Sequence, residues 1–381
     1  MMKVAVNGRF LLPRLEGIGH YTYQLLDHLS ELHPEDEYHV IVDRAVHMPF
    51  MDRPNVHRHV LLPPTRHPLL WYFWFEWRIP ALLKKVHADV FFSPDGFLSL
   101  RTECPSVLTI HDLAFLHYPE GTQRSHLTYL RKYMSQFLQR ADEVVAVSQF
   151  TSDDIKQQYP GISTKITTIH NGVSDDFQAF KSDDQIACRK CYTHGKPYFI
   201  YVGSIHPRKN VAALIRAFDQ YIKQTGDDIS LVLAGRIAWR SDDAITALRE
   251  SPYVAQIIQL SDFDSKIPLL IAAAEAMCYV SLFEGFGLPV LEALACGTPV
   301  ITSAQSSMQE VCGDLAYYVD PRDIDSICKA MIHVRTKQEG IKHNGKKLRL
   351  KASEFSWEKA AILLHDRLTH TATRPKDKQA N

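Results

Sequence analysis

Two doubly wound α/β domains are the fold class this sequence predicts, and three observations predict it. Short apolar runs rich in β-branched residues alternate with segments of helical periodicity along nearly the whole chain. The alternation pauses once, over the polar stretch SDDFQAFKSDDQIACRKCYTHGK (174–196), and then restarts. The 381 residues exceed one ordinary core and suit two of roughly 150–200 residues. The expected division is 1–180 and 181–356.

The elements follow in order. KVAVNGRF reads as a first strand, and after EGIG a helix presents Ile18, Tyr21, Leu25, Leu29 and Leu32 at helical spacing. YHVIVD, ADVFFSP, SVLTIHD and EVVAVS read as further strands, each followed by a loop or helix. After the pause come PYFIYVG (strand), NVAALIRAFDQYIKQ (helix), ISLVLAG and VAQIIQL (strands), IPLLIAAAEA (helix), MCYVSLF (strand), LPVLEALAC (helix) and PVITS (strand). Parallel strands joined by crossover helices put ligands beyond the carboxyl ends of the strands, so the motifs that matter should lie just after strands. The charged tail KDKQAN reads as disordered.

Composition excludes several classes. With 43 basic and 43 acidic residues, formal net charge is zero, which gives no electrostatic case for a nucleic-acid partner. The 45% hydrophobic and 23% charged content is that of a globular chain. No apolar run approaches ~18 residues, and MMKVAVNGRFLLPRLEG lacks the apolar core of a signal peptide. Seven cysteines, an odd number, favour free thiols and a reducing, cytoplasmic compartment. CRKCYTH spaces Cys188, Cys191 and His194 as a zinc site would, but no second half follows, so free thiols are expected there.

SLFEGFGLPVLEALACGTPVI (281–301) is the richest stretch. MCYVSLF is expected to end at Glu284, residues 285–288 to form a loop, and Pro289 to take the first helical position. Gly297 and Pro299 mark the helix end. The helix N-terminus offers unpaired N–H groups to an anion, and Gly285 and Gly287 allow close approach to the main chain. Glu284 and Glu292 would repel phosphate but accept hydrogen bonds from hydroxyls. A ligand with a phosphate flanked by hydroxyls, such as a sugar nucleotide, fits; the alternative is an ordinary turn with surface glutamates.

Supporting sites point the same way, each with a plainer reading beside it. In YVGSIHPRKN, Arg208 and Lys209 can neutralise a diphosphate, or belong to a solvated loop. In EGIGHY, Gly17 and Gly19 lead into a helix, either as a phosphate loop or as a simple turn; Thr22 breaks the G-x-G-x-x-G pattern, which weakens a nicotinamide or flavin reading. In SVLTIHDL, His111 at a strand end can contact a substrate hydroxyl or act as acid or base, or be structural. HPLLWYFWFEWRIPALLKK sets aromatics beside Arg78, Lys84 and Lys85, so the 69–85 segment is either a core helix or an interfacial one resting on a membrane. The lone D-x-D at 262–264 is discounted as a metal motif.

Together FEGFGLPVLEALACGTPVI, YVGSIHPRKNVAALIRAF, VSQFTSDDI, IHNGV, TIHDL and FSWEKAA resemble, in order and over nearly the whole chain, the family-four retaining glycosyltransferases of GT-B fold. The resemblance implies that 1–180 binds the acceptor, that 181–356 binds the nucleotide-sugar across a central cleft, and that a helix over 357–375 crosses back onto the first domain. Arg208 and Lys209 would bind the donor diphosphate. Glu284, with the backbone of Phe286, Gly287 and Leu288, would hold the donor sugar, and Glu292 the ribose hydroxyls. The Gly17–Gly19 loop would close over the phosphates and His111 would contact the transferred sugar. Ser204 stands where some members carry an arginine, Ser261 where glycine is usual, and Gln309 where proline is common. Neither a metal nor another cofactor is implied. The motif variants are similar to those of bacterial mannosyl- and rhamnosyltransferases of polysaccharide assembly. They imply a hexose, mannose from GDP-mannose, passed to a glycan or lipid-linked glycan acceptor. A UDP-hexose donor is the alternative within the family, and a sugar-nucleotide epimerase or a non-catalytic sugar-nucleotide-binding protein the alternative outside it.

Overall fold

The computed structural model describes residues 1–65, 67–236, 242–261, 266–336 and 344–374. The chain forms two compact units: Met1–Gly172 together with the chain from Trp357 on, and Val173–Ser356. The division falls at Gly172–Val173, ahead of the expected 180, because Val173 already belongs to the second unit. Its N–H donates to the Phe355 carbonyl at 3.4 Å, and it bridges to Ser356.

The first unit is built on seven parallel strands: β1 (Lys3–Asn7), β2 (Glu37–Val42), β3 (Val56–Val60), β4 (Val90–Ser93), β5 (Ser106–Ile110), β6 (Glu143–Ala146) and β7 (Ile166–Thr168). Their order is β3-β2-β1-β4-β5-β6-β7. The second holds six: β8 (Tyr198–Val202), β9 (Ser230–Ala234), β10 (Ile257–Leu260), β11 (Ala276–Tyr279), β12 (Val300–Ser303) and β13 (Tyr317–Val319), in order β10-β9-β8-β11-β12-β13. Central strands such as VFFS, SVLTI and FIYV are covered on both faces, which is why they read as unbroken apolar runs.

Strand order reverses between β1 and β4 in one sheet and between β8 and β11 in the other. Connections leave such neighbouring strands toward opposite faces, and their loops part to open a crevice at the carboxyl edge.

The strands missed in the sequence, β3, β7 and β13, are all sheet edges. VHRHV is mostly solvated, and ITT and YYV are three residues long, so none carries an apolar run. The polar stretch 174–196, expected as linker, holds the helix Ser182–Thr193. It buries only Cys188 and Thr193, too few to show a stripe.

The last described helix, Trp357–Thr373, belongs to the first unit. Trp357 meets Tyr21 edge-on at 5.9 Å, His365 Nε2 lies 2.8 Å from Asp36, and the His365 ring stacks on His33 at 3.4 Å. Segment 69–85 divides its surface. It runs as the helix Pro68–Phe73, a π-turn Trp74–Arg78 and the helix Ile79–Val86. Trp74, Phe75, Ile79 and Leu83 enter the core, where Glu76 accepts the N–H groups of Leu100 and Arg101 at 3.0 Å. Leu69 (75%), Phe73 (44%) and Trp77 (54%) remain exposed. Among the described residues no helix is long and apolar enough to cross a membrane.

Candidate functional site

In the second unit the loops after β8 and β11 meet at the switch point. Pro207–Lys209 forms a single 3₁₀ turn after β8, and Asn210 follows it in the left-handed conformation (φ 58°). From there the Asn210 amide donates to the carbonyls of Val280 (3.1 Å) and Pro321 (2.6 Å), while Leu282 N–H donates to the Arg208 carbonyl at 2.9 Å. These three hydrogen bonds pin the loops after β8 and β11 to each other and to Pro321, just past β13.

The pinning brings Arg208, Lys209 and Glu284 together. Lys209 Nζ is 2.6 Å from Glu284 Oε1 and 2.5 Å from the Tyr279 hydroxyl. Arg208 Nη1 reaches Glu284 Oε2 at 3.1 Å and the Phe283 carbonyl at 2.5 Å. The Tyr279 hydroxyl is 3.1 Å from Glu284 Oε1. Glu284 is buried, and burial alone would push its carboxyl up, but Arg208 and then Lys209 hold it down at about 2. Two cations around one carboxylate leave a surplus positive charge. The two cations expected at phosphate and the carboxylate expected at sugar are here bonded to one another. Glu284 is also not at a strand end: β11 stops at Tyr279, and 280–287 is loop.

That loop leads into the helix Leu288–Cys296, in which Pro289 is the second residue rather than the expected first. Gly287 caps it at φ 91°, and Met308 Sδ would lie 3.0 Å from any Cβ placed there. The positive φ is what calls for glycine, since the flexible end of Met308 could move aside. The first intrahelical bond, Val290 N–H to the Gly287 carbonyl, is 2.9 Å. The preceding amides, Gly285 to Leu288, lie at the positive end of the helix. Phe286 is buried edge-on against Phe355 at 5.8 Å, so its ring is taken up in packing.

Glu292, one turn along, contrasts with Glu284. Burial raises its carboxyl to about 7, and among the described residues it has no ion-pair or hydrogen-bond partner. One glutamate is saturated and charged; the other is half-buried and lacks partners.

In the first unit, Gly17 opens the helix Gly17–Leu32 at φ 29° with open space beside it, whereas a Cβ on Gly19 would strike the Phe10 carbonyl oxygen. Close packing therefore explains Gly19, while nothing packs against Gly17. His111 lies just beyond β5. Its Nε2–H donates to the Pro94 carbonyl at 2.7 Å, and its ring meets Tyr21 edge-on at 4.8 Å. Burial lowers its pKa, so the neutral ring keeps its proton on Nε2 and turns Nδ1 into an acceptor.

Other candidates separate from the site. Cys188 is buried and Cys191 exposed on the same helix, and among the described residues no group of three His, Cys, Asp or Glu could hold a metal ion. The D-x-D at 262–264 lies outside the described residues. Sequence reasoning missed Tyr279 and Asn210. The asparagine after PRK and before a helical pattern was a capping signal; the tyrosine, inside an apolar run, gave none.

The chain matches family models over both halves: Glycosyltransferase Family 4 over residues 15–177, and Glycosyl transferases group 1 over 190–351. It is 28% identical over 361 residues to O-antigen chain mannosyltransferase B of Escherichia coli, covering 90% of this chain and 93% of that one. To the O-antigen chain mannosyltransferase RfbU of Salmonella typhimurium it is 27% identical over 338 residues, covering 85% and 89%. Among solved structures it resembles WaaG, a glycosyltransferase involved in lipopolysaccharide biosynthesis (TM-score 0.75, 16% identity, 96% of this chain and 99% of that one). A glycosyltransferase from Rickettsia africae is similar (TM-score 0.75, 15% identity, 98% and 99%). With two parallel switch-point sheets, both family models and these relatives in agreement, the chain belongs to the family-four glycosyltransferases of GT-B fold.

Proposed function

We propose that this glycosyltransferase moves mannose from GDP-mannose to a hydroxyl of a growing glycan or lipid-linked glycan in cell-surface polysaccharide synthesis, with retention at the anomeric carbon. The observation that carries the donor reading is the Arg208–Lys209–Glu284 cluster beside the Leu288–Cys296 helix N-terminus. It has surplus positive charge for a diphosphate, with a partnerless carboxylate, Glu292, one turn away for hydroxyls. The mannosyltransferase relatives support the sugar and the pathway.

In this reading the bond from the anomeric carbon to the diphosphate oxygen breaks as the acceptor oxygen bonds that carbon on the same face. The acceptor's proton passes to the departing phosphate oxygen. Arg208, Lys209 and the helix amides stabilise the charge that develops there, the task a metal ion performs elsewhere. Glu284 fixes both cations and turns toward the donor sugar, Glu292 holds the ribose, and the Gly17–Gly19 loop covers the phosphates. His111 accepts a hydroxyl of the transferred sugar through Nδ1. No cofactor enters, and full, reversible loss of activity with EDTA would overturn that part.

The exposed face of 69–85, with Leu69, Phe73 and Trp77 beside Arg78, Lys84 and Lys85, would rest on the cytoplasmic side of the membrane. The donor assignment is tested by thermal shift against GDP-, UDP- and dTDP-hexoses, since a ligand of the native state raises the melting temperature. NMR of the product then reads the anomeric configuration. Stabilisation by UDP-hexoses alone refutes GDP-mannose. Epimerised donor formed without acceptor refutes transfer.

A further inference from the structure

The first sheet has its own switch point, between β1 and β4, and the loops that leave it carry a buried charge pair. Arg9, just past β1, donates through Nε to Asp95, just past β4, and both side chains are almost wholly buried (4% and 1% exposed). Asp95 is in turn held by Ser93 Oγ at 3.3 Å and Phe97 N–H at 3.1 Å, and Asn7 ties β1 to Ser93 at 3.0 Å. The guanidinium carbon lies 4.2 Å from the centre of the Phe97 ring and 5.7 Å from that of Trp71.

Arg9 spends Nε on Asp95; neither of its terminal nitrogens hydrogen-bonds to a described residue, and neither is among the atoms sealed from solvent without a partner, so this edge of the guanidinium is left open to a ligand or water. His126 shares the same aromatic walls, 4.9 Å from Trp71 and 5.7 Å from Phe97, and its Nε2 is buried without a partner. Two unspent polar groups and an aromatic wall therefore converge at the crevice of a doubly wound sheet. The neighbouring residue, Pro94, is the one whose carbonyl fixes His111.

We infer that Arg9, His126 and Trp71 form the subsite for the acceptor's sugar ring, a neutral pyranose whose hydroxyls meet Arg9 and His126 and whose apolar face lies on the indole. Charge decides for a neutral ligand over a phosphate. Arg9 is already matched by Asp95, and burial, with Arg9 beside it, holds the His126 ring neutral with a pKa of about 4. A dianion would find no surplus positive charge here, in contrast to the Arg208–Lys209 cluster. The inference rests on the first unit being the acceptor side.

Binding of methyl α-mannoside, followed by saturation-transfer NMR with no donor present, tests it. Arg9→Lys keeps the charge and loses the forked edge; His126→Phe keeps the ring stacking and loses the nitrogen. The expected result is a saturable signal in the wild type, a dissociation constant raised at least tenfold in Arg9→Lys and severalfold in His126→Phe, and an unchanged thermal shift with GDP-mannose in both. Absence of hexoside binding in the wild type, binding within twofold of wild type in the folded variants, or displacement of the hexoside by millimolar inorganic phosphate overturns the inference. The donor reading fails separately, as a missing GDP-mannose shift, and leaves this measurement intact.

Discussion

Replacing Lys209 with methionine removes one of the two cations on Glu284 and keeps the side chain's length. The cluster falls from a net charge of +1 to zero. A unit charge about 4 Å from another is worth about 4 kcal/mol at an effective dielectric of about 20. Only the part that grows as the phosphate departs affects turnover, so the expected barrier increase is about 2–4 kcal/mol, in the range for loss of one preorganised oxyanion donor. Turnover should then fall by about 30- to 1000-fold. The fold should answer as well. The Glu284 carboxyl sits at about 2 against an ordinary 4.5, which is on the order of 3 kcal/mol of linkage. A depressed carboxyl stabilises the fold above its unfolded pKa and loses that contribution as pH falls toward the folded value. Wild-type stability should therefore drop between pH 4.5 and 2, and Lys209→Met should lose less over that window. The assay is release of nucleoside diphosphate at saturating donor, alongside urea melts at several pH values. Turnover within fivefold of wild type, in a folded variant with the altered acid profile, would refute the electrostatic role and leave the cluster a purely structural one.

The partnerless carboxylate predicts the opposite sign. Glu292, raised to about 7, keeps its proton in the folded state while the unfolded chain loses it, so stability falls as pH rises from 4.5 through 7. Glu292→Gln should melt higher than wild type at pH 8, by on the order of 1–2 kcal/mol given its partial exposure, with no difference near pH 4.5. At pH 8, where Glu292 is ionised, the variant's donor KM should rise about tenfold from the lost charge-assisted bonds; an unchanged KM at that pH would count against a donor-binding role for Glu292. Gly287→Ala, forced to φ 91° against Met308, should cost about 1–3 kcal/mol in a chemical melt, and a neutral result would show that the loop can rebuild. Trp77→Ser should leave melting within a few degrees while lowering co-sedimentation with anionic vesicles severalfold; equal sedimentation would count against the membrane contact.

Much of the candidate site in the second unit was legible because its chemistry is local. The glycine, proline and glutamate of FEGFGLPVLEA each mark a backbone demand or a donor–acceptor need within one loop and one helix. What stayed hidden was pairwise. Nothing in PRKN or in FEG says that Glu284 closes on both cations, because that depends on β8 and β11 lying side by side. The opposite ionisation of Glu284 and Glu292 likewise comes from burial and partners, not from residue type. Three of the four sheet edges were illegible because VHRHV is mostly solvated and ITT and YYV are only three residues long, whereas the fourth, β10, was read from VAQIIQL. In the first unit Arg9 gave no signal beside its neighbours; only the alignment of β1 with β4 sets it against Asp95.

The helix Trp357–Thr373 has a consequence for how the molecule is made. The second unit is continuous in the chain, so all its parts have been synthesised once Ser356 leaves the ribosome. The first unit begins earlier but finishes later. Its sheet must wait for the last helix before Trp357 covers Tyr21, the ring that steadies His111. A nascent chain therefore carries an open apolar face on its first sheet throughout synthesis of the second unit, a stage at which chaperones would engage it. A fragment ending at Gly172 would carry that face permanently. The unit can be produced alone only by joining its two segments, as in a fusion that bypasses Val173–Ser356.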